Sequence, residues 1–467
     1  MRLLCMATLV VMGTIITGCA NLDENQQQEK NNLTLTTTLS FSDNAGTKAL
    51  TAAGVKTFAK DDQVVLFYKD GKGQTLRVLS NALTASDISA DGKTATITVS
   101  FLNLPATNGA VRYVYPANMA KASIATSAEI NDDNTIDFTQ LTNQKGTLDD
   151  LGSSLDLCVF DGNFTGTSLP ASASLTNRLA ILAITLTDNA TTPNDITSTI
   201  TNVTVNEGTN NYVVTRSAAA GPIYVAIKPT SSAAIEVLAS AGANDYGKFL
   251  TSKTYAANNG YNVSWKMLPK IDLSTASWSL YVTEDMIITG IPSKSYISID
   301  CKDDCEVILY NVNSGGTKEV ILDGGDHHLS IKLKGTSILK YISCNYGYNL
   351  TIDEAETGGT VILENDASTL DGSTVTINGG TVKAKSNEYK AVGCNLVVNG
   401  GNVYLAGGYY GGDEHAVYGT ITAGAGVTLY EWNSGWGAIS SSSSDKRYIT
   451  TDNASGDPTT PSAAWTW

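Results

Sequence analysis

A Gly-Gly dipeptide returns every 21 residues toward the C-terminus, in Gly358-Gly359-Thr360-Val361, Gly379-Gly380-Thr381-Val382 and Gly400-Gly401-Asn402-Val403. The apolar segments keep the same interval: Val375-Thr376-Ile377-Asn378 lies 21 residues before Leu396-Val397-Val398-Asn399. Fainter copies occur at Leu329-Ser330-Ile331-Lys332-Leu333, Leu350-Thr351-Ile352 and Thr420-Ile421-Thr422-Ala423-Gly424. A period near 20 with short apolar strands and glycine corners is the pattern of a solenoid, in which each coil buries its apolar side against the next. No helix-period pattern fills the intervals, so a parallel β-helix is expected, with a third β-sandwich as the alternative. Val375, Ile377, Leu396 and Val398 should stack inward, Thr376 and Val397 should face out, and coils should lie about 4.8 Å apart.

The other end of the chain constrains location. Met1 to Cys19 carries Arg2, an apolar run from Leu3 to Ile16, and then Thr17-Gly18-Cys19. That run is shorter than the roughly 20 residues a membrane helix needs, so it reads as a secretory signal. It resembles bacterial lipoprotein signals, which implies cleavage before Cys19 and lipidation there. Residues 20–32 are polar, acidic and low in complexity, as a solvated tether would be. Acidic residues so soon after the cysteine resemble the export signals of surface lipoproteins. The implied address is the outer membrane, facing outward.

At 467 residues the chain exceeds one core and suggests three domains at roughly 150 residues each. The formal charge of -15 excludes a phosphate-neutralising surface, so nucleic acid is not an expected partner. Residues 33–155 alternate in short strands, as in Leu33-Thr34-Leu35-Thr36-Thr37-Thr38-Leu39-Ser40-Phe41 and Thr94-Ala95-Thr96-Ile97-Thr98-Val99, with turns at Asp70-Gly71, Asp91-Gly92 and Asn108-Gly109. An antiparallel sandwich follows from that spacing. Residues 156–268 read as a second sandwich around the apolar run Leu179 to Leu186, and 269–467 as the β-helix. The whole is all-β.

Three segments of the first half carry a family likeness: Lys60-Asp61-Asp62-Gln63-Val64-Val65-Leu66-Phe67, Tyr113-Val114-Tyr115-Pro116-Ala117, and Gln144-Lys145-Gly146-Thr147-Leu148-Asp149-Asp150-Leu151. In this order they resemble the fimbrillin family of lipoprotein pilins and adhesins. The run Asn177 to Leu186 resembles that family's second-domain core strand, and Tyr255 to Val263 its closing hairpin, with Gly260 at the turn. The likeness covers roughly residues 33 to 268. It implies N-terminal trimming followed by strand exchange between subunits. No Arg lies between Cys19 and Arg77, so Lys48 is the candidate processing site in place of an arginine. The large third domain favours a tip-type subunit or solitary adhesin over a stalk subunit. The Asn-Gly-Gly repeats resemble a carbohydrate-binding-like β-helical module of surface lipoproteins.

Chemistry-bearing residues are sparse. Beyond the signal and Cys19, the cysteines are Cys158, Cys301, Cys305, Cys344 and Cys394. Cys301 and Cys305 meet only across a tight turn, since an extended strand would hold their α-carbons about 13 Å apart. Cys344 and Cys394 should be unbonded core thiols. No Cys-x-x-Cys pair exists and the histidines His327, His328 and His415 lie elsewhere, so neither zinc nor any other metal or cofactor is expected. Asp326-His327-His328 and Asp413-Glu414-His415 read as solenoid corners more readily than as acid–base or metal groups, and an exposed turn explains Asp303-Asp304 as well as a calcium site does. Aromatic residues gather near the last coils, and Tyr409, Tyr410, Tyr418, Trp432 and Trp436 are the candidate ligand contacts, for a glycan or a host protein. A non-enzymatic adhesin is the expected function. Glycan capture for nutrient uptake is the alternative, and a β-helix polysaccharide lyase a more distant one, since the only arginine after residue 268 is Arg447.

Overall fold

The computed structural model describes residues 33–41, 56–217, 219–315, 318–407, 416–424, 428–433 and 447–451. The chain is all-β with a C-terminal β-solenoid. Its early strands are β1 (Leu33–Phe41), β2 (Val65–Lys69), β3 (Thr75–Leu79), β4 (Thr94–Phe101), β5 (Ala110–Tyr115), β6 (Asn143–Gln144), β7 (Cys158–Asn163) and β8 (Ser172–Asn177). Next come β9 (Ala180–Thr187), β10 (Asn202–Glu207), β11 (Asn210–Thr215), β12 (Ile223–Ile227), β13 (Thr230–Ala241), β14 (Asn244–Tyr255), β15 (Asn259–Lys266) and β16 (Leu268–Asp272).

A seven-stranded sheet in the order β3-β2-β5-β7-β8-β1-β4 folds around one core, built from Leu39, Leu66, Ile97, Val99, Tyr113 and Leu175 among others. Alternation is clean in β4, but Val64 to Tyr68 are all buried. The cause is that β2, β5 and β7 are covered on both faces. Leu66, Tyr68, Tyr113, Tyr115 and Cys158 enter the first core, while Val65, Phe67, Val114 and Val159 enter a second. That second core lies between the small sheet β12-β9-β15 and the strands β13, β10 and β11.

The chain therefore crosses the expected boundary at 155/156 more than once. Strand β6 lies before it yet pairs in parallel with β11, and β7 and β8 lie after it yet complete the first sheet. A further difference concerns Tyr255 to Val263. The turn is Ala256–Asn258, with Asn258 at φ 60°, and Gly260 sits inside β15 opposite Ile181. This segment is a sheet-to-sheet crossover: β14 stays with β13, and β15 pairs in parallel with β9. Asn tolerates the left-handed backbone almost as glycine does, so the nearby glycine was a misleading signal.

The solenoid is three stacks of parallel strands around one core. The first runs Met286–Gly290, Cys305–Val312, Leu329–Lys334, Asn349–Glu354, Thr374–Ile377, Asn395–Val398 and Ile421–Ala423. The second runs Ser279–Val282, Tyr296–Cys301, Glu319–Asp323, Tyr341–Ser343 and Leu370–Asp371. The third runs Thr336–Leu339, Thr360–Asn365, Thr381–Ser386, Asn402–Gly407, Thr428–Asn433 and Arg447–Thr451. Val375 pairs with Leu396 and Ile377 with Val398, all four fully buried, whereas Thr376 and Val397 face outward. Leu350 pairs with Val375 across 25 positions, so the strict interval of 21 marks the coils without inserted corner residues.

The first stack has no free start. Strand β16 pairs antiparallel with β14 (Tyr246 opposite Pro269) and parallel with Met286–Gly290, making one 13-stranded sheet from the second core's wall to the last coils. The expected boundary at 268/269 falls inside β16. A Cβ on Gly247 would lie 2.5 Å from Ile287 Cδ1, so a glycine in β14 is what lets the first coil seat there.

Candidate binding surface

Exposed aromatic side chains are concentrated on the solenoid. Among the described residues the sandwiches leave Leu79, Leu102 and Leu104 exposed, whereas the solenoid exposes Trp278, Tyr281, Tyr296, Tyr346, Tyr389 and Tyr418. Tyr346 is 93% and Tyr418 71% accessible, values no core role requires. Tyr281 and Tyr296 stand at outward positions of second-stack strands, whereas Trp278, Tyr346, Tyr389 and Tyr418 lie at the corners between strands.

Several of these rings carry an ammonium. Lys294 Nζ lies 5.8 Å from the Trp278 ring, Lys302 Nζ 5.0 Å from Tyr281, Lys390 Nζ 4.9 Å from Tyr418 and Lys383 Nζ 5.9 Å from Tyr404. Each contact is worth about 0.5–1 kcal/mol at an exposed site. Flat rings beside mobile hydrogen-bond donors can stack on a sugar face while the lysine reaches its hydroxyls. On the third stack the register sets Tyr404 beside Tyr430 and Ala406 beside Trp432, so two aromatic positions follow one coil after Lys383 and Lys385.

Two clefts flank this surface. One, of about 300 Å³, lies where the second core's wall meets the solenoid and is lined by Glu236, Phe249, Lys334 and Glu356. Lys334 pairs with Glu356 and sits 4.6 Å from the Phe249 ring, while the Tyr310 hydroxyl donates to Glu236 Oε2 at 3.2 Å. Burial lowers the Lys334 ammonium despite the opposing charge of Glu236, and burial together with Glu236 pushes the Tyr310 hydroxyl up to about 12. The Lys334–Phe249 and Tyr310–Glu236 contacts cross the junction and so brace it, while Glu236 Oε1 is buried without a hydrogen-bond partner.

The second cleft, of about 440 Å³, gathers Asp285, Asp304, Glu306, His328 and Asn349. Asp304 Oδ1 accepts the His328 backbone N–H at 2.7 Å, Asp285 Oδ1 that of Glu306 at 2.8 Å, and His328 Nδ1 that of Asn349 at 3.0 Å. The last bond places the His328 proton on Nε2. Each polar group is thereby tied to a corner of the coil. No group of three or more His, Cys, Asp or Glu side chains among the described residues is arranged to hold a metal.

The sequence matches no protein-family model and no curated protein. Among solved structures it is similar to a fimbrial assembly protein from Parabacteroides distasonis, at 13% identity over 50% of this chain and 90% of that one, with a TM-score of 0.31. A "putative cell adhesion protein" from Bacteroides ovatus aligns at 9% identity over 51% of this chain and 95% of its own, with a TM-score of 0.32. Another so described, from Bacteroides eggerthii, aligns at 12% identity over 50% and 85%, with a TM-score of 0.28.

Of the residues expected to bind, Tyr418 is exposed on the surface and Trp432 lies on a third-stack strand. Tyr409, Tyr410 and Trp436 lie outside the described residues, as do Cys19, Lys48 and the corner Asp413-Glu414-His415. Sequence reasoning missed Trp278, Tyr281, Tyr346 and Tyr389, which lie in earlier coils. Tyr281 stands at an outward position, and that alternation was a usable signal. The five described cysteines are buried and unbonded. Cys301 and Cys305 do meet across their turn, Cys301 donating to Cys305, which drives the Cys301 thiol up and pulls Cys305 down.

Proposed function

We propose that this chain is a non-enzymatic adhesin of the bacterial surface, held to the outer membrane by a lipid on Cys19, whose solenoid contacts a glycan or host protein. The observation that carries this reading is that, among the described residues, the large exposed aromatic rings all lie on the solenoid, Trp278, Tyr281 and Tyr418 with a lysine over the face. The test is titration of the chain lacking residues 1–19 against polysaccharides and extracellular-matrix proteins, with an assay for cleavage products. Saturable binding without turnover is expected, and Tyr418→Ala or Trp278→Ala should weaken it by about 3–10-fold, the equivalent of one stacking contact. New reducing ends or unsaturated products would instead establish a lyase.

A second observation favours assembly into fimbriae over solitary glycan capture. Strand β1 lies between β4 and β8, with Leu33 opposite Phe101 through Ser40 opposite Thr94 on one side and Thr38 opposite Ser172 on the other. Cleavage at Lys48 would free it, exposing two strand edges and the core around Leu39 to a strand from another subunit. Limited digestion with a lysine-specific protease should yield strand-exchanged oligomers, and Lys48→Ala should prevent them. Monomers after complete cleavage at that site would favour the nutrient-capture alternative.

A further inference from the structure

Lysine 56 is buried beside a carboxylate and a carboxamide. Its ammonium lies 2.8 Å from Asp156 Oδ2, and the other oxygen of the same carboxylate, Oδ1, accepts the Asn177 amide N–H. Side-chain exposure is 10% for Lys56 and 2% for Asp156, and Asn177 is buried. The rings of Phe41 and Tyr115 stand 4.7 and 5.0 Å from Nζ and help to exclude water. Asn177 Oδ1 accepts the Leu179 backbone N–H at 2.7 Å, which fixes the amide orientation and polarises its carbonyl.

We propose that Lys56 and Asn177 join through a side-chain amide, with Asp156 carrying the protons. Asp156 takes a proton from the ammonium, and the freed amine attacks Asn177 Cγ. The carbonyl electron pair moves onto Oδ1, where the Leu179 N–H stabilises it. The Cγ–Nδ2 bond then breaks, the departing nitrogen receives its third proton from the attacking nitrogen by way of Asp156, and ammonia leaves. The original ammonium proton stays on Asp156 as a neutral acid beside the new amide. No oxidant or cofactor enters the balance.

The setting favours this outcome. A buried ion pair bears a desolvation penalty of several kcal/mol per ion, and the reaction discharges both ions. Proximity contributes: Asp156 holds the ammonium on Oδ2 and on its backbone carbonyl, and the Asn177 amide on Oδ1, which removes the entropy cost of encounter. Burial draws the Lys56 ammonium down, but the Asp156 carboxylate beside it holds its pKa above the ordinary value, so loss of the ammonium proton is the gating step. Cys158 Sγ is 3.1 Å from Nζ, but burial pushes that thiol up to about 12, so it stays neutral and does not compete as a nucleophile. The bond would tie the segment just beyond Lys48 to the end of β8, the strand that flanks β1.

Intact-mass measurement of the purified folded chain, with peptide mapping, tests this. The expected result is a chain lighter than its sequence by one ammonia and a branched peptide linking Lys56 to Asn177. Lys56→Arg and Asp156→Ala should restore the full mass, and Asn177→Asp should lose water in place of ammonia. A folded wild-type chain at its full sequence mass overturns the proposal, independently of whether any variant folds. So does a branch from Lys56 to Asp156 with loss of water.

Discussion

Gln144 behaves at the residue scale like a piece of strand. Its Nε2 donates to Leu141 O and Ala226 O, its Oε1 accepts from Ala226 N, and it is buried. Gly146 beside it holds φ +72°, where a Cβ would lie 2.6 Å from Val214 Cγ1. Gln144→Ala leaves both Ala226 backbone groups unpaired and should destabilise the chain by about 2–4 kcal/mol, read from the urea midpoint. In the solenoid, Gly401 sits at φ +81° with a Cβ position 2.3 Å from Gly380 O. Gly401→Ala should therefore cost about 2–4 kcal/mol, seen as faster hydrogen exchange in the flanking coils. Acid acts through turn carboxylates. Side-chain hydrogen bonds from Thr84, Ser89, Asn194 and Thr197 hold Asp87, Asp91, Asp188 and Asp195 below their ordinary 3.8. Their contribution is complete above 3.8 and is lost as pH falls through the lowered native values, so a pH series of urea midpoints should drop only on the acid side.

At the scale of elements, β16 is the piece on which the architecture turns. It is antiparallel to β14 and parallel to the first coil, with Lys270 3.9 Å from Asp245 across the former pairing. A fragment beginning at residue 269 cuts through this strand, uncovers Ile287 and opens the sheet edge that β14 covers. Such edges template association, so the fragment should elute as oligomers on size exclusion, while the chain from residue 33 onward stays monomeric until β1 is released.

Across the whole molecule, one 13-stranded sheet couples the second core to the coils. Tyr310, Phe249 and Lys334 brace that junction, and Asn189 Nδ2 reaches Asp285 O at 3.3 Å. Among the described residues this sheet runs directly from β14 through β16 into the first coil, so small-angle scattering should fit one rigid arrangement at low and high salt.

Local pattern is enough for whatever depends on neighbours in the chain. The interval of 21, the inward ladder of Val375, Ile377, Leu396 and Val398, and the strands β1 and β4 were legible because a strand's period is fixed by its own backbone. The contacts made by the three segments that carried the resemblance were not legible: Tyr115 donates to Asp62 at 2.7 Å, joining the first two, and Gln144 clamps β12 from the third. What only the tertiary structure decided are contacts between distant residues. The two-sided burial of β2, β5 and β7, the crossover at Asn258, the shared β16, the aromatic rings of the early coils, and the meeting of Lys56, Asp156 and Asn177 all arise from segments far apart in sequence. Packing brings these side chains together through shape and burial, and neither leaves a periodic mark on the chain.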